Sequence, residues 1–259
     1  MSGNGLGALS PQFAALPPDR KSVHLNHNRY ALLDFRGGAT EAAADALRTD
    51  LAFIRALRIG GGSVIHAARD ASLGLGQNPE TGETVVHALP APEAVFEGLS
   101  GMAALMDCGL PLFIENTYET PAWFADLFSR IEGSALDGLA GFCLDIGHAR
   151  IWGGRPLADW IGLCADLSGR GIPLHAHLHS NAGDRDSHLP LCVGDRMGLF
   201  DPSPAYAPGG LARALMQMDA LCGTGIMVLE SDPAHAPENL GWTRAMLAGA
   251  AEPYQARQP

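Results

Sequence analysis

Six short apolar runs in this chain each carry, near one end, side chains of the types that bind metal ions. Glu115 lies at the end of PLFIEN, Asp145 and His148 at the end of GFCLDIGH, and Glu230 at the end of IMVLES. His177 sits in PLHAHLHSN, with Asp186 and His188 just after it in GDRDSH. Two earlier runs add His24 in KSVHLNH and His66 in GSVIHAA, with His27 as a substitute for His24. Imidazole nitrogens and carboxylate oxygens suit zinc, manganese or iron. His175, His177 and His179 alternate, so in a strand all three share one face. Asp145 and His148 are three apart across Gly147, read as a turn that folds His148 back over the strand end. Asp186 and His188 are two apart, so in an extended segment both reach one ion, with Asp184 as the competing carboxylate. Glu115 and Glu230 end buried runs, where an unpaired carboxylate is costly. Each therefore needs a cation or one of Arg69, Arg150, Arg185 and Arg196. Asn116 and Asn181 stand to bind substrate or to orient ligands, and His179 and Arg196 complete the candidate substrate-binding set. There is no G-x-S-x-G elbow and no Cys–His nucleophile pair, so metal-activated water or a metal-held substrate is favoured over covalent catalysis.

The runs holding these residues are short and rich in Val, Ile, Leu and Phe, as in parallel strands buried on both faces. In parallel α/β folds the chemistry gathers at the carboxyl ends of the strands. The pattern predicts strands over 22–27, 63–67, 111–116, 140–146, 173–179 and 225–230. Helices are predicted over 40–58, near 92–108, 121–131, 156–168 and 209–221, and near 236–250. Leu47, Leu51, Ile54 and Leu57 fall at helical spacing in the first of these, and Pro121 suits the first turn of the third. The segment 70–84 and the stretch from 180 to about 208 read as loops. Six βα units give a parallel sheet with right-handed crossovers, two strands short of a closed eight-stranded barrel. Exposed sheet edges favour self-association, hence a homo-oligomer. Residues 1–20, rich in Gly and Pro, read as a loose arm. One barrel domain spans 21–252, with a tail at 253–259.

The chain has 259 residues, 47% hydrophobic and 17% charged, enough to bury one large α/β core. A formal net charge of −11 argues against nucleic acid and for a small-molecule substrate, although bound cations would offset part of it. Five scattered cysteines without C-x-x-C read as small apolar residues in a reducing compartment. No run is long enough to span a membrane, and the first residues do not read as a signal peptide, so the expected location is the cytoplasm.

FIENTYE, CLDIGHA, HLHSN…DRDSHLPL and VLESD occur in that order between about residues 22 and 235. They resemble the xylose isomerase-like, AP endonuclease family 2 superfamily of TIM barrels. The resemblance implies a TIM-barrel-like (β/α) fold that lacks the first two strands. In the endonuclease IV branch nine ligands hold three zinc ions, and each has a counterpart here. By that resemblance His24, His66 and Glu115 hold one ion; Glu115 bridges to a second completed by Asp145, His177 and Glu230; His148, Asp186 and His188 hold the third. Zinc is the first expectation, with manganese, magnesium and iron as alternatives. The implied activity is metal-dependent hydrolysis of a small phosphodiester, the nucleotide loop of a cobamide being one candidate. A sugar or sugar-phosphate isomerase or epimerase is the second reading, with one metal on Glu115, Asp145, His177 and Glu230 and the two glutamates moving protons. A non-catalytic metal-binding barrel is the third. The aspartate that often follows the strand histidines in the superfamily is Ser180 here, and the DNA-binding loops of endonuclease IV are not recognisable.

Overall fold

Runs such as LFIE and AGFCLD are apolar at nearly every position because both faces of the strand are covered, one by helices and one by the interior of a curved sheet. The computed structural model describes residues 11–77, 84–106, 109–151, 156–181, 186–196, 210–223 and 225–248. The chain enters through a short helix α1 (Pro11–Ala15) and a 3-10 turn, Pro18–Arg20, into β1 (Val23–His24). A second 3-10 turn, Leu32–Phe35, precedes α2 (Glu41–Leu57) and β2 (Ser63–His66). Then come α3 (Asp70–Leu73), the antiparallel pair β3 (Leu75–Gln77) and β4 (Thr84–Val86), and α4 (Pro92–Ala103). The units β5 (Leu112–Glu115) with α5 (Pro121–Ile131), and β6 (Ala140–Asp145) with α6 (Ile146–Ile151) and α7 (Leu157–Gly169), follow. The last are β7 (Leu174–Leu178) with α8 (Leu191–Arg196) and α9 (Gly210–Cys222), and β8 (Met227–Leu229) with α10 (Ala236–Leu247).

Six strands form one all-parallel sheet in the order β1-β2-β5-β6-β7-β8. The sheet curls. His175 on β7 hydrogen-bonds Ser22, just before β1, at 3.1 Å, although four strand steps separate β1 from β7 along the sheet. The result is a half-barrel of six parallel strands wrapped by helices, a partial TIM-like barrel. Local chemistry sets the helix bounds. Thr40 caps α2 by accepting from Ala43 N at 3.2 Å, Leu47, Leu51 and Ile54 bury one face, and Arg58 ends it with φ of 53°. Thr120 caps α5 in the same way, with Pro121 in its first turn.

Several expectations are corrected. Within the expected loose arm, residues 11–20 fold back: Lys21 Nζ donates to Ala14 O at 3.2 Å and Leu57 O at 3.3 Å, and Gly60 N donates to Pro18 O. The first strand is shorter than 22–27, because His27 N turns back onto Leu25 O. The expected loop 70–84 contains α3, β3 and the first residue of β4. The stretch after β7 contains α8 and an antiparallel bridge between Ser180 and Leu189. Residues 1–10, Cys108, Asp184, Arg185 and the tail 253–259 lie outside the described residues. Among the described residues no helix is long and apolar enough to cross a membrane.

Helix α4 lies close against the 3-10 turn Leu32–Phe35 because two of its residues lack side chains. A Cβ on Gly98 would fall 2.1 Å from Leu32 O, and one on Gly101 would fall 2.3 Å from Phe35 O. Gly within a helix is ordinarily a weak point relative to Ala. Gly98→Ala should nonetheless destabilise the fold by about 1–3 kcal/mol through overpacking. Gly162→Ala, on an open face of α7 with nothing within 4 Å, should stabilise it by about 0.4–1 kcal/mol. Urea unfolding of both variants checks the opposite signs.

Candidate metal centre

Each strand of the curled sheet brings a side chain of a type that can bind metal to or near its carboxyl end. Parallel pairing sets His66 of β2 level with Glu115 of β5, and Asp145 of β6 level with His177 of β7. His24 ends β1, and Glu230 directly follows β8. The Glu115 carboxylate, 1% exposed, is the hub. Its Oε2 lies 2.7 Å from His24 Nε2 and 3.2 Å from His66 Nε2. Its Oε1 lies 3.1 Å from His177 Nδ1 and 3.5 Å from His148 Nδ1. His177 Nδ1 is also 3.2 Å from Glu230 Oε1. On the far side, Asp186 Oδ2 sits between His148 Nε2 at 3.3 Å and His188 Nε2 at 3.0 Å. Of the four arginines considered for the buried glutamates, Arg69 pairs with Asp34 instead, at 2.9 Å. The four ion-pair contacts of Glu115 among the described residues are all with imidazoles.

Backbone carbonyls fix how these rings point. His24 Nδ1 donates to Leu25 O at 2.8 Å, His148 Nδ1 to Asn116 O at 3.0 Å, and His188 Nδ1 to Glu230 O at 3.1 Å. Each ring therefore presents Nε2 to a carboxylate, which is how outer partners orient metal-binding histidines. Asn116 spends both ends of its amide on β6, donating to Asp145 O at 3.0 Å and accepting from Asp145 N at 2.7 Å. Asn181 Oδ1 accepts from Ser187 N, Ser187 Oγ and His188 N. Both asparagines are fully buried, where they hold the Asp145 backbone and the Ser187–His188 segment. His179, also buried, donates from Nε2 to Asp145 Oδ2 at 2.9 Å. Its ring explains Gly147: a Cβ there would lie 2.1 Å from His179 Cε1, so the glycine is needed for close approach. The chain needs no special turn at that point, because α6 begins directly after β6. His188 holds φ of 45°, a strained value that aims its ring at Asp186. Arg196 closes α8.

His175 lies deeper in the half-barrel, with Nδ1 3.5 Å from Cys143 Sγ; burial and neighbouring His177 push it down to about 3. His27, the substitute for His24, instead stands beside it, stacked on His66 with centroids 4.3 Å apart. Burial and the neighbours His66 and His24 push His27 down to about 4. The centre opens to a cleft of about 600 Å³ whose wall also includes Asp70, Thr117, Tyr118, Ser231 and Asp232. The sequence reading missed these five. Four of them adjoin ligand positions in IENTYE and VLESD, and that adjacency was the available signal. Among the described residues lining the cleft there is no Lys or Arg. Several groupings, among them His24, Glu115 and His177, and Asp145, His148 and His179, have the spacing to hold a metal ion. Set against known proteins, the chain matches no family model and no curated sequence.

Burial alone would raise Glu115, but the charge and hydrogen bonds of His177, then His24 and His66, hold it well below the usual carboxylate range. Burial alone would lower His148, yet Asp145, Asp186 and Glu115 push it up to about 10. His177 rises to about 9 against the same burial penalty, through Glu115 and Glu230. The hydrogen bond to Asp186 carries His188 to about 9. In metal-free protein, NMR titration of the rings should therefore show His148, His177 and His188 protonated well past pH 8, and His27 neutral above pH 5. These three raised histidines stabilise the metal-free fold fully below about pH 6.5, their unfolded value, and lose that contribution as pH rises through about 9 to 10. Glu115 and Asp186, both held low, act oppositely and lose theirs on acidification. A second expectation concerns Asn181→Ala. It should leave the strands intact while the Ser187 and His188 amides lose protection in hydrogen exchange.

Proposed function

We propose that the protein is a metal-dependent hydrolase, a phosphodiesterase acting on a small substrate, with zinc as the first-choice ion. The observation that carries this reading is the convergence of His148 and His188 on Asp186, at 3.3 and 3.0 Å, beside the Glu115 cluster. An isomerase needs the set Glu115, Asp145, His177 and Glu230, and has no task for that further cluster. The donors suit divalent ions: nitrogen and carboxylate oxygen at the ends of strands, with protons now lying where cations would bind. Buried Asp186 Oδ1 and His179 Nδ1 lack a hydrogen-bond partner while 3.8 Å apart, as groups awaiting a ligand or water would. The superfamily resemblance supports the same three sets: His24, His66 and Glu115; Glu115, Asp145, His177 and Glu230; His148, Asp186 and His188.

Bound there, divalent ions would supply positive charge against a phosphate and acidify a water molecule near neutral pH. The remaining work belongs to the chain. Glu115 divides its two oxygens between two clusters and fixes their spacing, and its strongly held ionised form suits a ligand better than a proton carrier. Glu230 faces the cleft. Asn116 and Asn181 hold Asp145 and His188 against rotation. With no Lys or Arg among the described lining residues, a phosphate has only metal ions and imidazolium groups to meet its charge. Asp70, Ser231 and Asp232 are placed to meet the hydroxyl groups of the rest of the substrate.

Elemental analysis of protein purified without chelator, with turnover of bis(p-nitrophenyl) phosphate and of cobamides, tests the reading. More than one ion per chain is expected, and Asp186→Ala should lower turnover by at least about a hundredfold. One exchangeable manganese or magnesium ion, with sugar turnover indifferent to Asp186→Ala, would replace hydrolysis with isomerisation. Folded protein that takes up no metal would end both readings.

A further inference from the structure

The first of the three ligand sets counts two imidazoles, but the structure places three together. His27 lies on the turn after β1, partly buried, and its ring packs against both His24 and His66. Ligand-capable nitrogens of His24, His27 and His66 all lie within 4.8 Å of one another. His24 meets both neighbours edge to face, with centroids 5.0 Å from His27 and 5.0 Å from His66. His27 and His66 are stacked, 13° from parallel with centroids 4.3 Å apart, so one of these two rings must turn for both to point a nitrogen at one ion. The His27 ring also makes no hydrogen bond among the described residues, whereas the rings of His24, His148 and His188 are each tied to a carbonyl.

We propose that His27 is a further ligand of the ion held by His24, His66 and Glu115, completing a set of three nitrogens and one oxygen. The inference rests on the metal-binding reading above. Its consequence is a division of roles. Four protein ligands close a zinc site, whereas a site that handles water or substrate keeps a position open. The first ion is then a fixed charge in the cleft wall, which His24, His27 and His66 line. Contact with substrate falls to the other two sets, which reach the cleft through Glu230 and through His148, Asp186 and His188.

The test is a zinc titration of the chelator-treated full chain in competition with a chromophoric chelator. Wild type, His27→Ala, His27→Phe and His24→Ala are compared, with circular dichroism to verify folding. His27→Phe keeps a stacking ring but has no donor, so it separates ligation from packing. The expected result is that His27→Phe and His27→Ala each weaken one site by at least about a hundredfold and leave the others unchanged, as His24→Ala does. Wild-type affinity and stoichiometry in His27→Phe would overturn the inference and leave the metal reading standing. If His27→Ala fails to fold, His27→Phe decides alone. Wild type that binds no zinc would overturn the metal reading, and this inference with it.

Discussion

The molecule is organised around one carboxylate that has been taken out of water. Glu115 is 1% exposed at the end of a fully buried strand. An ionised group in that position is destabilising by several kcal/mol unless it is well paired. Its partners come from β1, β2 and β7 and from the residues just after β6. A flat sheet could not supply them, because β1 and β7 lie far apart in the strand order. The curl of the sheet brings His24 to within 2.7 Å of one glutamate oxygen and His177 to within 3.1 Å of the other. Sheet curvature and charge compensation are therefore the same structural fact viewed at two scales.

Around that hub, orientation is set by the main chain. Carbonyls of Leu25, Asn116 and Glu230 hold three imidazoles by their Nδ1 atoms, and two buried asparagines hold the segments that carry Asp145 and His188. These carbonyls belong to the residues just past the ends of β1, β5 and β8, so the strands themselves set where the rings point. Electrostatics follows the same layout. Carboxylates press the pKa of His148, His177 and His188 upward, while burial, helped by neighbouring imidazoles, presses His27 and His175 down. Two populations of histidine thus coexist within one half-barrel.

Much of this was legible in the sequence, for identifiable reasons. Fully apolar strands such as LFIE and AGFCLD announce themselves, as does α5, framed by Thr120 and Pro121. The superposition of His66 with Glu115 and of Asp145 with His177 follows once the strands are parallel and in register. Hydrogen-bond partners were harder to foresee. Asn116 could as well have faced a substrate, and only the structure shows its amide closed on the backbone of Asp145. Gly147 read as a flexible turn, yet its constraint comes from His179, a residue distant in sequence. The helix α3 and the strands β3 and β4 lay hidden in GLGQNPETGET and its surroundings, where glycine, proline and polar residues signal loop more strongly than three-residue strands signal sheet. Residues 11–20 looked unattached because Lys21, the residue that ties them down, bonds to main-chain oxygens that carry no signature in sequence.

The order in which the candidate ligands occur along the chain bears on how the protein is made. His24 and His66 leave the ribosome first, Glu115 and Asp145 midway, and Glu230 only after β7 has been completed. Chains fold largely from the amino end during synthesis. The early histidines must therefore wait, exposed to whatever ions the cell contains, until β5 supplies the carboxylate that gathers them. Until β8 joins the sheet, His177 lacks its second glutamate and His188 lacks the carbonyl that holds it. A nascent or truncated chain thus offers only loose, mismatched ligand fragments. Full assembly of the cluster is a record that the last strand has docked, so a metal held there would mark a finished molecule.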